Sequence, residues 1–336
     1  MGLKNCEYFA PSNLTEALDL KARMGTDAVW LAGGTDLLPR ARHKLANPKA
    51  VISLKKLAGE LSGVEEDGGE VVIGALTSLA EAGAHQAISN NLPGLSQALK
   101  SIGAPTLQQQ VGTVGGNLCA DTRCLYYNQS AFWRSGMAPC FKLGGETCQP
   151  GGEKAERCRS TCQSDGAVML AALEARVSLV GNKGERELGL EEFYTGRGEE
   201  PLAMGQDELL VNVKIPTPKG QGSAYCKLAA RKAMDYPLIS AAAAVRLDPD
   251  GVVTGASLAL GSVYAAPLML KEASQSLVGQ KCGTKELDAV ARKAGSHAQP
   301  FFLENHSAPA GWREEMAPVV AMRALTQALA AAKGKI

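Results

Sequence analysis

Apolar and polar positions along the chain alternate in short runs, and each run predicts one element. Asn13 followed by Glu16 reads as a capping pair, Leu14, Ala17 and Leu18 supply an apolar face, and Gly25 stops it, which predicts a helix over residues 11–25. Two apolar runs of buried-strand type follow, residues 28–32 and 50–54, with Gly33-Gly34-Thr35-Asp36-Leu37-Leu38-Pro39 directly after the first. Residues 63–76 alternate about Asp67-Gly68-Gly69 and predict a hairpin. Thr77 or Ser78 caps a helix running to about Ile88, and Pro93 opens another that ends before Gly103-Ala104-Pro105. Residues 167–173 read as a buried helix, 176–180 and 209–215 as strands, and the glycine-rich, charged stretch 181–207 as loops. Pro216 to Gly222 has linker composition and sets the main domain boundary. Beyond it come strands at about 223–230, 238–247 and 252–263, the last two joined by Asp248-Pro249-Asp250-Gly251. Helices near residues 285–296 and 313–332 close the chain.

Composition narrows what such a chain can do. With 336 residues and 45% hydrophobic content it can build two or three domains with their own cores. Thirty-five basic against 34 acidic residues leave a net charge of +1, which gives no electrostatic case for a nucleic-acid or membrane-surface partner. Met1 to Glu7 is not followed by an apolar segment of signal-peptide type, and no run approaches the roughly 18 apolar residues of a membrane span. The expectation is a cytoplasmic protein. In that reducing compartment clustered cysteines point to metal or redox chemistry rather than disulfides.

Six of the nine cysteines fall at 119, 124, 140, 148, 158 and 162, immediately after Val111-Gly-Thr-Val-Gly-Gly-Asn-Leu-Cys119. Structural zinc usually brings Cys-x-x-Cys knuckles and histidine, and this stretch has neither; the histidines are at 43, 85, 297 and 306. A [4Fe–4S] cluster needs four thiolates without fixed close spacing, so six candidates compete for four places. Cys6, Cys226 and Cys282 stand alone and read as packing residues. Tyr126, Tyr127, Phe132 and Trp133 read equally as a shell around a cluster and as ordinary packing. The two glycine turns, at 33–34 and 115–116, let backbone amides approach a phosphate. Neither is a G-x-G-x-x-G turn or a P-loop. Two such turns in one chain suit a dinucleotide, and FAD is the redox dinucleotide that a cluster would serve.

Residues 31–39 (LAGGTDLLP), 113–117 (TVGGN) and 165–175 (DGAVMLAALEA) resemble, in order, the FAD-binding subunit of the molybdenum hydroxylases, the xanthine dehydrogenase and carbon monoxide dehydrogenase family. The resemblance covers nearly the whole chain. It implies an α+β fold: a two-lobed FAD-binding (PCMH-type) domain, with an N-terminal βαβ lobe at 1–56 and a second lobe at 57–216, then a sheet-and-helices C-terminal domain at 223–336. In most members only a few residues separate the Gly-Gly-Asn from the aspartate, whereas here residues 118–164 intervene. This insertion, at about 119–162 with CADTRC (119–124) and YYNQSAFWRSG (126–136), looks like that of the 4-hydroxybenzoyl-CoA reductase β-subunit branch, which carries an extra [4Fe–4S] cluster.

The resemblance places the cluster ligands at Cys124, Cys140, Cys148 and Cys158. The gap from Cys148 to Cys158 is one residue longer than in the branch, which keeps Cys162 as the other claimant for the fourth place. It places FAD against Leu31, Ala32, Gly33, Gly34, Thr35, Asp36 and Leu37, and against Thr113, Gly115, Gly116 and Asn117. Asp165 would hydrogen-bond the cofactor, and Lys227 and Arg231, in a K-x-x-x-R-x-x-x-D run ending at Asp235, would lie near the flavin. No catalytic residue is implied, because substrate chemistry belongs to a molybdopterin subunit and a further partner carries two [2Fe–2S] clusters. The implied activity is electron relay, most closely for the ferredoxin-driven reductive dehydroxylation of an aromatic acyl-CoA. The rivals are the FAD subunit of a xanthine-, aldehyde- or CO-oxidising complex that passes electrons to NAD or another acceptor and, from another class, a zinc-stabilised non-redox module.

Overall fold

The computed structural model describes residue 3 and residues 5–335. Strands β1 (Glu7–Phe9), β2 (Ala28–Leu31) and β3 (Ala50–Ser53) form a parallel sheet in the order β1-β3-β2. The central strand is buried throughout, as an unbroken Ala-Val-Ile-Ser run with neighbours on both sides requires. The capping pair works as predicted: Asn13 accepts from the Glu16 amide at 2.9 Å, and Glu16 accepts from the Ser12 amide at 2.7 Å, opening the helix Leu14–Met24. Strand β1 gave no sequence signal, because three half-exposed residues carry no measurable period.

The second sheet contains β4 (Val64–Asp67), β5 (Glu70–Gly74), β6 (Arg176–Gly181), β7 (Gly184–Gly189) and β8 (Leu209–Pro216), antiparallel in the order β4-β5-β8-β6-β7. The hairpin and the strands at 176 and 209 stand where expected. The loop expectation for 181–207 is corrected: β7 and a short helix, Leu190–Phe193, lie there. β7 reads Gly-Glu-Arg-Glu-Leu-Gly and sits at an exposed edge, held by its ladder to β6 and by ion pairs such as Arg186 to Glu208 at 2.5 Å. Such an edge has no apolar face to announce it. The helix expected to reach Ile88 is broken in two, Leu79–Ala84 and Gln86–Asn91, because His85 adopts an extended backbone and its ring accepts from the Ala87 amide. The 216–222 stretch, expected as a linker, is an ordered connection: both the amide and the hydroxyl of Thr217 donate to the Gly69 carbonyl.

The third sheet runs β12-β11-β10-β9, antiparallel, from β9 (Gln221–Leu228), β10 (Ile239–Leu247), β11 (Val253–Gly261) and β12 (Leu268–Met269). The helix Ala310–Lys333 lies on β9 and β10, and Thr284–Ala298 packs on that helix. Between this sheet and the helix Pro93–Lys100 lies the helix Asp165–Ala172, buried at every residue. A helix apolar all round belongs inside, and this one presents polar groups only at its N-terminal end. The whole is the α+β architecture expected from the sequence.

Strand β9 approaches the long helix so closely at Gly222 that a Cβ there would lie 2.1 Å from the Ala332 nitrogen and 2.3 Å from the Ala328 carbonyl oxygen. Gly222→Ala is expected to destabilise the protein by about 1–3 kcal/mol, through overpacking against backbone that cannot rotate away. Urea unfolding measures this, and a change below about 0.5 kcal/mol would mean that the helix shifts freely on the sheet.

Candidate functional site

After β2 the chain turns through Gly33 and Gly34, the latter at φ +73°, where only glycine sits without strain. Gly33 is constrained by contact: a Cβ on it would stand 1.9 Å from the Val111 carbonyl oxygen. The first glycine turn is therefore pressed backbone to backbone against Val111 and Gly112, which lead into the second. Thr113 accepts from the Gly116 amide at 3.0 Å and caps a short helix, Val114–Leu118. Along the seam between the turns lies a cavity of about 460 Å³. It is bordered by residues 31–37, by Thr113 and Gly115–Asn117, and by Asp165 and Arg231. Sequence reasoning missed Arg40, Asp121, Arg123, Met234 and Tyr236 on the same walls.

Lys227 meets the cavity through Asp165. Its ammonium donates to Asp165 Oδ2 at 2.8 Å and to the Ser101 carbonyl at 2.9 Å. The Tyr225 hydroxyl donates to the other oxygen of Asp165. Burial pushes the Asp165 carboxyl up, and the Lys227 charge opposes the shift. Tyr225 was legible in principle, because it lies two residues before Lys227 on β9 and so shares its face.

The cavity wall is also charged. Asp36, in the first glycine turn, pairs with Arg123 and with Arg40 at 3.6 Å. Asp121 pairs with Lys142 at 2.5 Å and with Arg40 at 3.1 Å. The Arg123 guanidinium stands 5.0 Å from the Tyr236 ring centre, and the Lys142 ammonium 4.6 Å from that of Tyr127. Asp121, Arg123 and Lys142 all belong to the cysteine-bearing insertion.

The insertion is tied off at its base. Asn117 accepts from the Ser164 hydroxyl at 2.6 Å, and Arg123 and Thr161 exchange two backbone hydrogen bonds of 2.8 Å. Asn305 fastens both arms: its carbonyl accepts from the Leu125 amide at 2.9 Å and its side-chain amide donates to the Arg159 carbonyl at 2.6 Å. Arg313, fully buried, donates to Asn305 Oδ1 at 3.0 Å.

Those two arms carry Cys124 and Cys158. Burial pushes Cys124 up to about 11, and the nearby Cys158 and Cys148 thiols add to the shift. Cys162, also raised to about 11 by burial, instead neighbours Asp165 and Tyr194. Cys119 is driven to about 12 by burial and lines the cavity. Cys140 is half-buried, and all nine cysteines are free. Among the described residues no three His, Cys, Asp or Glu side chains gather in a geometry ready for one metal ion. Among them, too, no helix is long and apolar enough to cross a membrane.

Comparison with known proteins bears on what the cavity holds. The profile described as "FAD binding domain in molybdopterin dehydrogenase" matches residues 4–218, and "CO dehydrogenase flavoprotein C-terminal domain" matches 224–328. The chain belongs to the FAD-binding subunits of the molybdenum hydroxylases. It is 30% identical to the carbon monoxide dehydrogenase medium chain of Afipia carboxidovorans, over 97% of this chain and 98% of that one. It is 29% identical to the nicotinate dehydrogenase FAD-subunit of Eubacterium barkeri, over 86% and 84% of the two chains. Reconstituted CO dehydrogenase from Oligotropha carboxidovorans superposes with a TM-score of 0.78 at 27% identity, covering 98% of this chain and all of that one. The protein is thus a flavoprotein subunit of a molybdenum hydroxylase-type oxidoreductase.

Beside the Asn305 clamp lies a pH-sensitive group. Burial, with the Arg313 charge, pushes His306 from 6.5 down to about 4. The folded state therefore binds fewer protons than the unfolded one between those values, so this contribution is intact above pH 6.5 and is lost as pH falls toward 4. A loss of at most about 3 kcal/mol is expected across that window. Urea midpoints at pH 7 and pH 5 measure it. His306→Gln should flatten the difference, and an equal slope in that variant would assign the loss to other groups.

Proposed function

We propose that this chain binds FAD in the cavity between the glycine turns and relays electrons within a complex whose molybdopterin subunit holds the substrate and whose small subunit holds [2Fe–2S] clusters. The observation that carries the reading is the contact of Gly33 with Val111, which brings two turns distant in sequence onto one cavity. Backbone at 32–36 and 113–117 would hold the diphosphate, and Asp165 and Arg231 would face the rest of the cofactor. Lys227 would act on it through Asp165. When bound, FAD supplies the step between one-electron and two-electron carriers. The chain's part is to hold it out of water beside a fixed carboxylate.

The insertion supports a finer reading, that of a [4Fe–4S] relay held by Cys124, Cys140, Cys148 and Cys158, as the 4-hydroxybenzoyl-CoA reductase resemblance implies. Cys124, Cys148 and Cys158 are buried and free of disulfides, and the Cys148 and Cys158 thiols bear on that of Cys124, while Cys162 neighbours Tyr194 and, among the described residues, no three of these thiols gather in a geometry ready for one metal ion. That division favours Cys158 for the fourth place. Electrons from a ferredoxin-like donor would then pass through the cluster to FAD and on to molybdenum. The names of the relatives favour the opposite flow in a CO-, nicotinate- or xanthine-type complex, with FAD passing electrons out to an acceptor.

Flavin, iron and sulfide analysis of the purified chain tests both levels. One FAD with about four irons and matching sulfide is expected; a single zinc without flavin absorbance would sink the reading. Cys140→Ser should remove the iron and leave FAD bound, and full iron retention would show the ligand set to be wrong. For the substrate, the whole complex is assayed with reduced viologen and 4-hydroxybenzoyl-CoA against xanthine and NAD. Turnover of xanthine alone would transfer the assignment to the hydroxylases.

A further inference from the structure

The insertion reaches further than its cysteines. Its first residues, Ala120, Asp121 and Arg123, form part of the wall of the cavity itself. Arg123 is held from three directions. Its backbone is locked to Thr161 by two hydrogen bonds of 2.8 Å, its guanidinium pairs with Asp36 of the first glycine turn, and the Tyr236 ring lies 5.0 Å away on the segment between β9 and β10. Arg40 lines the same wall, and its Nε is buried without a partner.

The ion-pair cluster beside the first glycine turn does not cancel. Arg40, Arg123 and the buried Lys142, which stands outside the cavity lining, pair with Asp36 and Asp121 and leave one positive charge over, whereas Asp165 and Asp235 elsewhere on the lining are matched by Lys227 and Arg231. Without the insertion, Asp36 and Arg40 would remain and the surplus would vanish. An anion placed against the first glycine turn would then meet the Asp36 carboxylate with only one cation beside it. A half-buried, water-poor wall magnifies that difference relative to bulk solvent.

We propose that Arg123 is a cofactor-binding residue supplied by the insertion. With Arg40, it presents the surplus positive charge to the diphosphate of FAD, so that cofactor affinity depends on the insertion being folded. This rests on the FAD reading above. Linkage makes the dependence reciprocal: whatever orders the 123–161 base of the insertion tightens FAD, and FAD steadies that base. Cys124 adjoins Arg123 in the chain, so the state of the cysteine site and the occupancy of the flavin site share one fixed strand.

The test titrates FAD, ADP and riboflavin into the flavin-stripped full chain, as wild type, Arg123→Met, Arg123→Lys and Asp36→Asn. Loss of a charge-assisted contact in Arg123→Met should weaken FAD and ADP by about ten-fold or more and leave riboflavin within about two-fold. Arg123→Lys should recover part of the loss, because it keeps the charge without the fork. Asp36→Asn should tighten ADP several-fold, a gain that misfolding cannot imitate. Equal weakening of ADP and riboflavin in Arg123→Met, or no weakening of either, would overturn the proposal, as would weaker ADP binding in Asp36→Asn. A wild-type chain that takes up none of the three ligands would overturn the FAD reading instead, and the two failures are thereby distinguished.

Discussion

One buried carboxylate, Asp165, ties the third sheet to the cavity wall. Asp165 starts a helix with no exposed residue, and an ionised carboxyl in such a place is sustained only by fixed partners. Tyr225 and Lys227 supply them from the third sheet, and the Ser101 carbonyl takes up another of the ammonium donors. Removing either charge would leave the other stranded, an error that costs about 3–5 kcal/mol in buried pairs. The pair therefore joins the third sheet to the helix Asp165–Ala172 and gives the cavity one fixed polar boundary. The helix dipole helps, since Asp165 occupies the first turn with Ser164 as its cap.

That rigidity explains how the fold accepts so long an insertion. The insertion begins after Asn117 and ends before Ser164, and those two side chains are hydrogen-bonded to each other. Once the base is closed, the entropic cost of a longer loop grows only slowly with its length. The Arg123–Thr161 ladder and the Asn305 clamp close it again further out, so that the arms bearing Cys124 and Cys158 leave from fixed points. The insertion is spliced into the cavity wall and contributes charged residues to it.

Much of the fold was legible because its signals are local. The Asn13–Glu16 cap, the Asp67-Gly68-Gly69 hairpin and the all-apolar 167–173 run each carry their own physical cause in neighbouring residues. Edge strand β7 was not legible, because its order comes from the ladder to β6 and from ion pairs. The break at His85 escaped for a similar reason: one residue serves as the end of one helix and the cap of the next.

The sequence by itself determined which backbone segments could approach an anion, where thiols accumulate, and, through the order of its motifs, the family. Glycine, cysteine and cap residues act through their own chemistry, so their positions can be read directly. Only the tertiary structure decided that Gly33 is a contact point for Val111, that Lys227 pairs with Asp165, and that Arg123 faces Asp36. Each of these pairs segments distant in the chain. Partners for buried charges and for tight backbone contacts are fixed by packing over the whole fold, and no local pattern records them.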